Sequence, residues 1–365
     1  MLSLADTLDV LKGPLAPALA PANAYAATRA AAARLPAGLT SWAYLECRLG
    51  GAPAPPDLIV EVRERQRGVL AGGGPGPALP AALAGDPVWE RVAALARRWA
   101  DPRSALHRAL YCLWLEFDVS AHAPGALPLP GVFAGFTPEA ATRGTPEACA
   151  RLAAEAVEVL TGAALGAARA RLLLRMHRAL PPGASMYYAG VLLPRGTEVM
   201  RLCPGDIAAR DLPAYLARVG WPGDLPRLRD TLREFARARR GALAADAALL
   251  HLDATDEVLP RLGMEYVFDR RPQVRGALAE RAFLALLVRR GLCTPAEAAA
   301  LEAFPGCGIE RLPQHLWRSM VVRRVNHIKL VMDGDAVQAK AYLVVHHRYW
   351  SPRTGAASNA ELMAG

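Results

Sequence analysis

The sequence predicts an α+β fold: a ten-stranded antiparallel barrel made of five α-β-β-α units, with helices outside and a polar lumen. Three observations lead there. Short runs alternating in polarity come in five pairs, each joined by a short segment bearing Gly, Pro or Asp. Helical patterns separate the pairs, so a helix–hairpin–helix unit returns at intervals of roughly 70 residues. Where the strand runs divide into two faces, one is apolar and the other polar, charged and aromatic.

The first pair is 41–49 (SWAYLECRL) and 57–65 (DLIVEVRER). Leu45, Cys47 and Leu49 share one face, with Tyr44, Glu46 and Arg48 on the other; Leu58, Val60 and Val62 oppose Glu61, Arg63 and Arg65. The second pair is 111–119 and 131–136, where Leu113, Leu115 and Phe117 oppose Trp114, Glu116 and Asp118. The third, 185–193 and 197–203, carries Arg201. The fourth, 248–254 and 262–268, carries His251, Asp253, Glu265 and Tyr266. The fifth, 325–332 and 337–345, turns at Asp-Gly in MDGDA; Ile328 and Leu330 oppose His327 and Lys329, and Ala341, Leu343 and Val345 oppose Lys340 and Tyr342. Between the pairs, 88–100, 145–160, 212–220, 225–240, 276–291 and 294–304 have helical spacing, and several open with Thr-Pro or Asp-Pro, an N-cap followed by Pro at the first helical position.

An open sheet with helices on one face would also satisfy this pattern. Closure is preferred because it removes the sheet edges, leaves room for a ligand, and shelters Tyr44, Trp114, Tyr266 and Tyr342, which an open sheet would expose to water. Residues 1–350 are expected to form one barrel domain, and 351–365 a disordered tail.

Composition narrows the classes. Of 365 residues 53% are hydrophobic and 21% charged, which fits a folded globular chain and excludes a disordered or collagen-like one. The abundance of Ala, Arg, Gly and Pro resembles the coding bias of a GC-rich bacterial genome. The net charge of +9 allows an anionic partner. Yet the arginines interleave with apolar positions in RARLLLRMHR and REFARARR, as on solvated helix faces, and no nucleic-acid motif accompanies them. Six scattered cysteines without a CxxC pair argue for free thiols. The acidic N-terminus does not read as a signal peptide, and no apolar run reaches the ~18–20 residues of a membrane span, so a soluble cytoplasmic protein is expected. The Gly-rich 71–77 lacks the Lys-Ser/Thr of a phosphate loop; GxSxG, HExxH and dinucleotide motifs do not occur. One detail stands apart: the chain has only three lysines, Lys12, Lys329 and Lys340, and two of them fall on one face of the fifth hairpin.

The element order over roughly 3–347 resembles that of the ABBA prenyltransferases. KAYL, with Lys340 and Tyr342, looks like the Lys-x-Tyr strand of the indole-prenylating branch. NHIKL, with His327 and Lys329, resembles its Arg-x-Lys strand with His in place of Arg. WLEF offers Glu116 as the inward glutamate that orients an aromatic acceptor, and Glu46 is an equal candidate. The resemblance implies transfer of a short isoprenoid from an allylic diphosphate to an aromatic small molecule or a peptide side chain. Arg48, Arg63, Arg201, Lys329 and Lys340 would hold the diphosphate charge as it develops. Tyr44, Trp114, Tyr266 and Tyr342 would shield the cation.

Other features pull against this. Glu46, Glu61, Glu116, Asp118, Asp253 and Glu265 make the expected lumen acidic; cross-strand ion pairs would account for them, and Asp118 and Asp253 could serve Mg²⁺ bound with a phosphate. His251 and His327 on the lumen face read as structural histidines, and the adjacent His346 and His347 must point opposite ways. Two alternatives stay open: a non-catalytic accessory protein binding a ligand or peptide in natural-product biosynthesis, and a lumen enzyme using Glu116 or Asp253 as base on a cationic substrate.

Overall fold

The computed structural model describes residues 3–349 apart from Lys12, Pro53, 73–78, 120–128, Arg143, 197–198, 239–246, 269–272, 274–275, 277–279 and 313–317. The tail expected at 351–365, the Gly-rich 73–77 and His315 lie outside the described residues.

Among the described residues twelve strands occur in chain order: β1 (Trp42–Arg48), β2 (Asp57–Arg63), β3 (Leu110–Phe117), β4 (Gly131–Phe136), β5 (Ser185–Val191), β6 (Met200–Gly205), β7 (Ile207–Ala208), β8 (Ala247–Ala254), β9 (Val258–Val267), β10 (Gly306–Glu310), β11 (Ser319–Asp333) and β12 (Ala336–Tyr349). All but β7 and β10 form a closed ring, β1-β2-β3-β4-β5-β6-β8-β9-β11-β12 and back to β1, and every neighbour is antiparallel. The closing seam sets Trp42 opposite His346 and Arg48 opposite Lys340. The expected barrel is therefore present, with each hairpin where the alternating runs put it. The fifth hairpin is longer than its alternating core, because the first residues of β11 also pair with β10 outside the ring.

Strand parity builds the two faces. Leu45, Leu58, Val60, Leu113, Leu115, Leu250, Ile328 and Leu343 point outward and join one apolar cluster with the helices. The helix Pro87–Ala100 illustrates the fit. Asp86 accepts from the Val88 and Trp89 N–H groups, Pro87 fills the first position, and Trp89, Val92, Ala96 and Trp99 recur at helical spacing on its buried face. Trp99 also donates its Nε1–H to the Leu110 carbonyl at 3.0 Å, so its one polar atom is satisfied inside the apolar layer. Burying each such large side chain contributes about 1.5–3 kcal/mol. Two N-terminal helices, Leu4–Asp9 and Ala22–Ala32, were not anticipated from the alternating runs; the first is fixed by a Ser3–Asp6 capping box.

Four register shifts re-aim side chains: between Leu110 and Cys112, Met186 and Tyr188, Leu252 and Ala254, and Val325 and His327. Tyr111 and Asn326 thereby reach the lumen. Where β4 and β5 approach, a Cβ on Gly190 would lie 2.0 Å from the Val132 carbonyl oxygen, so only glycine fits there. Among the described residues no helix is long and apolar enough to cross a membrane.

Candidate functional site

The lumen has two sections. Toward the Trp42 end of β1 is a cavity of about 320 Å³ walled by Trp42, Tyr44, Tyr111, Trp114, Phe133, Tyr188 and Tyr342. Toward the Arg48 end, Glu46, Glu116, Asp118, Asp253, Arg195, Arg201, Arg261, Lys329 and Lys340 crowd around only about 30 Å³ of free space. Glu116 and His251 line both sections and mark the boundary.

The aromatic wall is built by contacts between strands. Tyr44 and Trp114 meet edge to face at 5.0 Å, Tyr342 stacks on His327 at 3.9 Å, and Trp42 stacks on His346 at 4.0 Å. Tyr111 and Tyr188 join hydroxyls at 2.9 Å. His347, on the opposite face of β12, contacts Thr7 Oγ1 at 3.2 Å. Tyr266 needs correcting. Its neighbour Glu265 takes the inward position, so Tyr266 points into the helix layer, between Phe235 at 5.8 Å and Phe283 at 5.3 Å. Trp42, Tyr111, Phe133 and Tyr188 complete the wall instead. Parity from Tyr44 and along GVFAGF gives Trp42 and Phe133; the bulges hide the two tyrosines.

In the charged section the cations lie beside carboxylates. Arg201 grips Asp253 through Nε at 2.6 Å and Nη2 at 3.0 Å, and its Nη1 lies 3.9 Å from Glu116. Arg48 reaches Asp57 at 2.6 Å, and Arg195 reaches Asp118 through Nε at 2.8 Å. Arg63, at the cavity end, bonds Glu61 on its own strand at 3.1 Å and lies over the Trp42 ring at 5.1 Å. Lys340 Nζ and the Tyr342 hydroxyl both donate to the buried Glu46 carboxylate, and Lys329 Nζ lies 3.6 Å from it and 4.7 Å from the Tyr342 ring centre. So the two barrel lysines converge on one carboxylate.

Ionisation follows from this. Burial opposes the Glu46 charge, but Lys340 and Lys329 outweigh it and hold the carboxyl well below its usual range. Burial raises Glu116, against the pull of Lys329 and Arg201. Burial, with Glu46 nearby, lifts Asp57 to about 7 despite Arg48. Burial lowers His251 and His327 well below the usual imidazole value, with Lys329 acting in the same direction, so both are neutral. Asp118 and Asp253, the carboxylates expected for Mg²⁺, are engaged by arginines, and among the described residues no three His, Cys, Asp or Glu side chains gather as a metal site. The described residues do not fit a metal held by the protein.

A ten-stranded antiparallel ring with helices outside is the barrel fold of the ABBA prenyltransferases. Two solved structures share it. One is the crystal structure of 6-dimethylallyltryptophan synthase from Micromonospora olivasterospora in complex with DMASPP and Trp, with a TM-score of 0.52 and 18% identity, covering 94% of this chain and 97% of that one. The other is a 6-dimethylallyl tryptophan synthase, with a TM-score of 0.50 and 18% identity over 94% and 96%. At that identity the likeness is one of fold. No protein-family model matches the sequence, and no curated protein matches it.

Proposed function

We propose that this chain is a prenyltransferase that moves a short isoprenoid from an allylic diphosphate to an aromatic acceptor inside the barrel. One observation carries the proposal: an aromatic-walled cavity adjoins a layer of buried lysine and arginine, with Glu116 lining both. The acceptor and the allyl group occupy the aromatic section, whose π faces suit a carbocation. The diphosphate exchanges the carboxylate partners of Lys329, Lys340 and Arg201 for its own oxygens, and Arg48 adds charge at the same end. Arg63, at the far end of the cavity, lies over Trp42 and is assigned to the wall. The fold shared with two dimethylallyltryptophan synthases supports an indole-type acceptor; a peptide side chain bearing the same ring is the variant of this reading.

The test is thermal stability with and without pyrophosphate and dimethylallyl, geranyl and farnesyl diphosphates, each with and without Mg²⁺. Product is then sought by mass spectrometry with L-tryptophan, indole and L-tyrosine. A stabilisation that the Lys329→Ala/Lys340→Ala variant loses is expected; at 100 times Kd it amounts to ~2.7 kcal/mol. No shift with any diphosphate would overturn the proposal.

A second reading has its own observation. The charged section is nearly filled by its own ion pairs, as suits a barrel that binds a neutral or cationic ligand or peptide without turnover. It predicts a shift with indole or an aromatic peptide and none with pyrophosphate.

A further inference from the structure

We propose that Glu265, hydrogen-bonded to His251, is the base that removes the ring proton in this transfer, a catalytic residue contributed by the fourth hairpin. The inference rests on the prenyl-transfer reading. The allylic C–O bond breaks and its electron pair leaves on pyrophosphate. A ring π pair forms the new C–C bond. The proton at that ring carbon passes to a Glu265 oxygen, and the C–H pair restores aromaticity.

The geometry singles out this carboxylate. Glu265 lies on β9 opposite Leu249 of β8 and Lys329 of β11, and it lines the aromatic cavity rather than the ion-paired section. His251 Nε2 is 2.5 Å from Oε1, and His327 Nε2 is 3.4 Å away. With Glu265 ionised and His251 neutral, Nε2 carries the proton and donates it to the carboxylate. Nδ1 then faces the Cys203 thiol at 3.7 Å. His251 thus orients the acid and sits at the boundary with the charged section, where the allylic carbon must lie.

The rival carboxylates are worse bases. Glu46 is held ionised by two lysines and a phenol, so a proton gains little there. Glu61 is bound to Arg63, and Glu116 has Arg201 at 3.9 Å. Around Glu265 the cations are fewer. Lys329 and His327 face it from β11, and His251 from β8. Cys203 faces it from β6, Tyr188 from β5 and Tyr342 from β12. Across the lumen Glu46 and Glu116 repel its charge. Burial raises the carboxyl to about 7 against the pull of Lys329, which suits a base working near neutrality.

The experiment follows kcat/KM against pH for dimethylallyl diphosphate with L-tryptophan, indole and L-tyrosine, using wild type, Glu265→Gln, Glu265→Asp and His251→Asn. Activity in the wild type should rise with pH through about 7. Glu265→Gln should lose about 10²–10⁴-fold in product formation and show no such rise, while still binding pyrophosphate. Glu265→Asp should recover part of the rate. His251→Asn should lower the rate by less than Glu265→Gln does and displace the inflection, a readout available even if Glu265→Gln fails to fold. Turnover by Glu265→Gln with the wild-type pH profile overturns this inference and leaves prenyl transfer standing. Absence of product from the wild type overturns prenyl transfer, and this inference with it.

Discussion

Replacing Glu46 by glutamine tests the centre of the lumen most directly. The substitution keeps shape and removes one charge. Wild-type Glu46 faces Lys329 Nζ at 3.6 Å and receives hydrogen bonds from Lys340 and Tyr342, and all four groups are buried. At an effective dielectric of 20, one unit pair at 3.6 Å is worth roughly 4–5 kcal/mol. Both ammonium groups lose their shared counter-charge, and breaking a buried pair from one side typically costs about 3–5 kcal/mol. With an unfolding entropy near 2.1 cal/mol/K per residue, the loss across 365 residues corresponds to roughly 5 °C in Tm. The same vacated ammonium groups should favour an added anion. Pyrophosphate should therefore stabilise Glu46→Gln by more than it stabilises wild type. Denaturant unfolding followed by circular dichroism, repeated with pyrophosphate, reads both quantities. A variant within about 0.5 kcal/mol of wild type, with no enhanced response, would refute the counter-charge role.

Substitutions at two further positions probe other parts. Asp253→Asn strands the buried Arg201 and should cost about 3–5 kcal/mol at pH 7 by urea unfolding. Burial opposes the Asp253 charge, but Arg201 prevails and lowers its folded pKa below the unfolded value. Its stability contribution is therefore complete above an unfolded pKa of about 3.9 and lost as pH falls through the folded value, so the gap between variant and wild type should narrow below about pH 4. Tyr266→Ala opens a hole between Phe235 and Phe283 and should cost about 3–5 kcal/mol, whereas Tyr266→Phe should stay within about 1 kcal/mol and leave ligand-induced thermal shifts unchanged. Loss of those shifts in Tyr266→Phe would put the ring back in the lumen.

Parity made most of the barrel legible. It depends only on the two-residue repeat of a strand, so Tyr44, Glu46, Trp114, Glu116, Lys329 and Lys340 were found on the inner face without knowledge of their neighbours. It failed where a run offered two plausible inward residues. In GMEYVF, Glu265 and Tyr266 are adjacent and only one can face in; pairing with β8 and β11 decides for the acid. It also failed at bulges, which break the repeat and bring Tyr111 and Tyr188 into the lumen. Ion-pair partners were beyond it. That Lys340 meets Glu46 depends on the register of β1 against β12, strands separated by almost the whole chain.

The separation of faces also accounts for a fold held in common at 18% identity. The outward residues need only be apolar and of suitable size to seat the helices, a requirement many sequences meet. The inward residues meet a different requirement, a partner for each buried charge. In this chain they have become nearly self-neutralising, since Arg48, Arg195, Arg201, Lys329 and Lys340 each lie within 4 Å of a carboxylate. On the prenyl-transfer reading, a diphosphate would enter by exchange. Each phosphate oxygen must displace a carboxylate already in place, and the displaced acids must take up protons or meet new cations. Asp57, the partner of Arg48, is lifted to about 7 by burial and is able to do the former near neutral pH. Carboxylates inside a cation layer are thus compatible with anion binding, provided some of them can become neutral as the anion arrives.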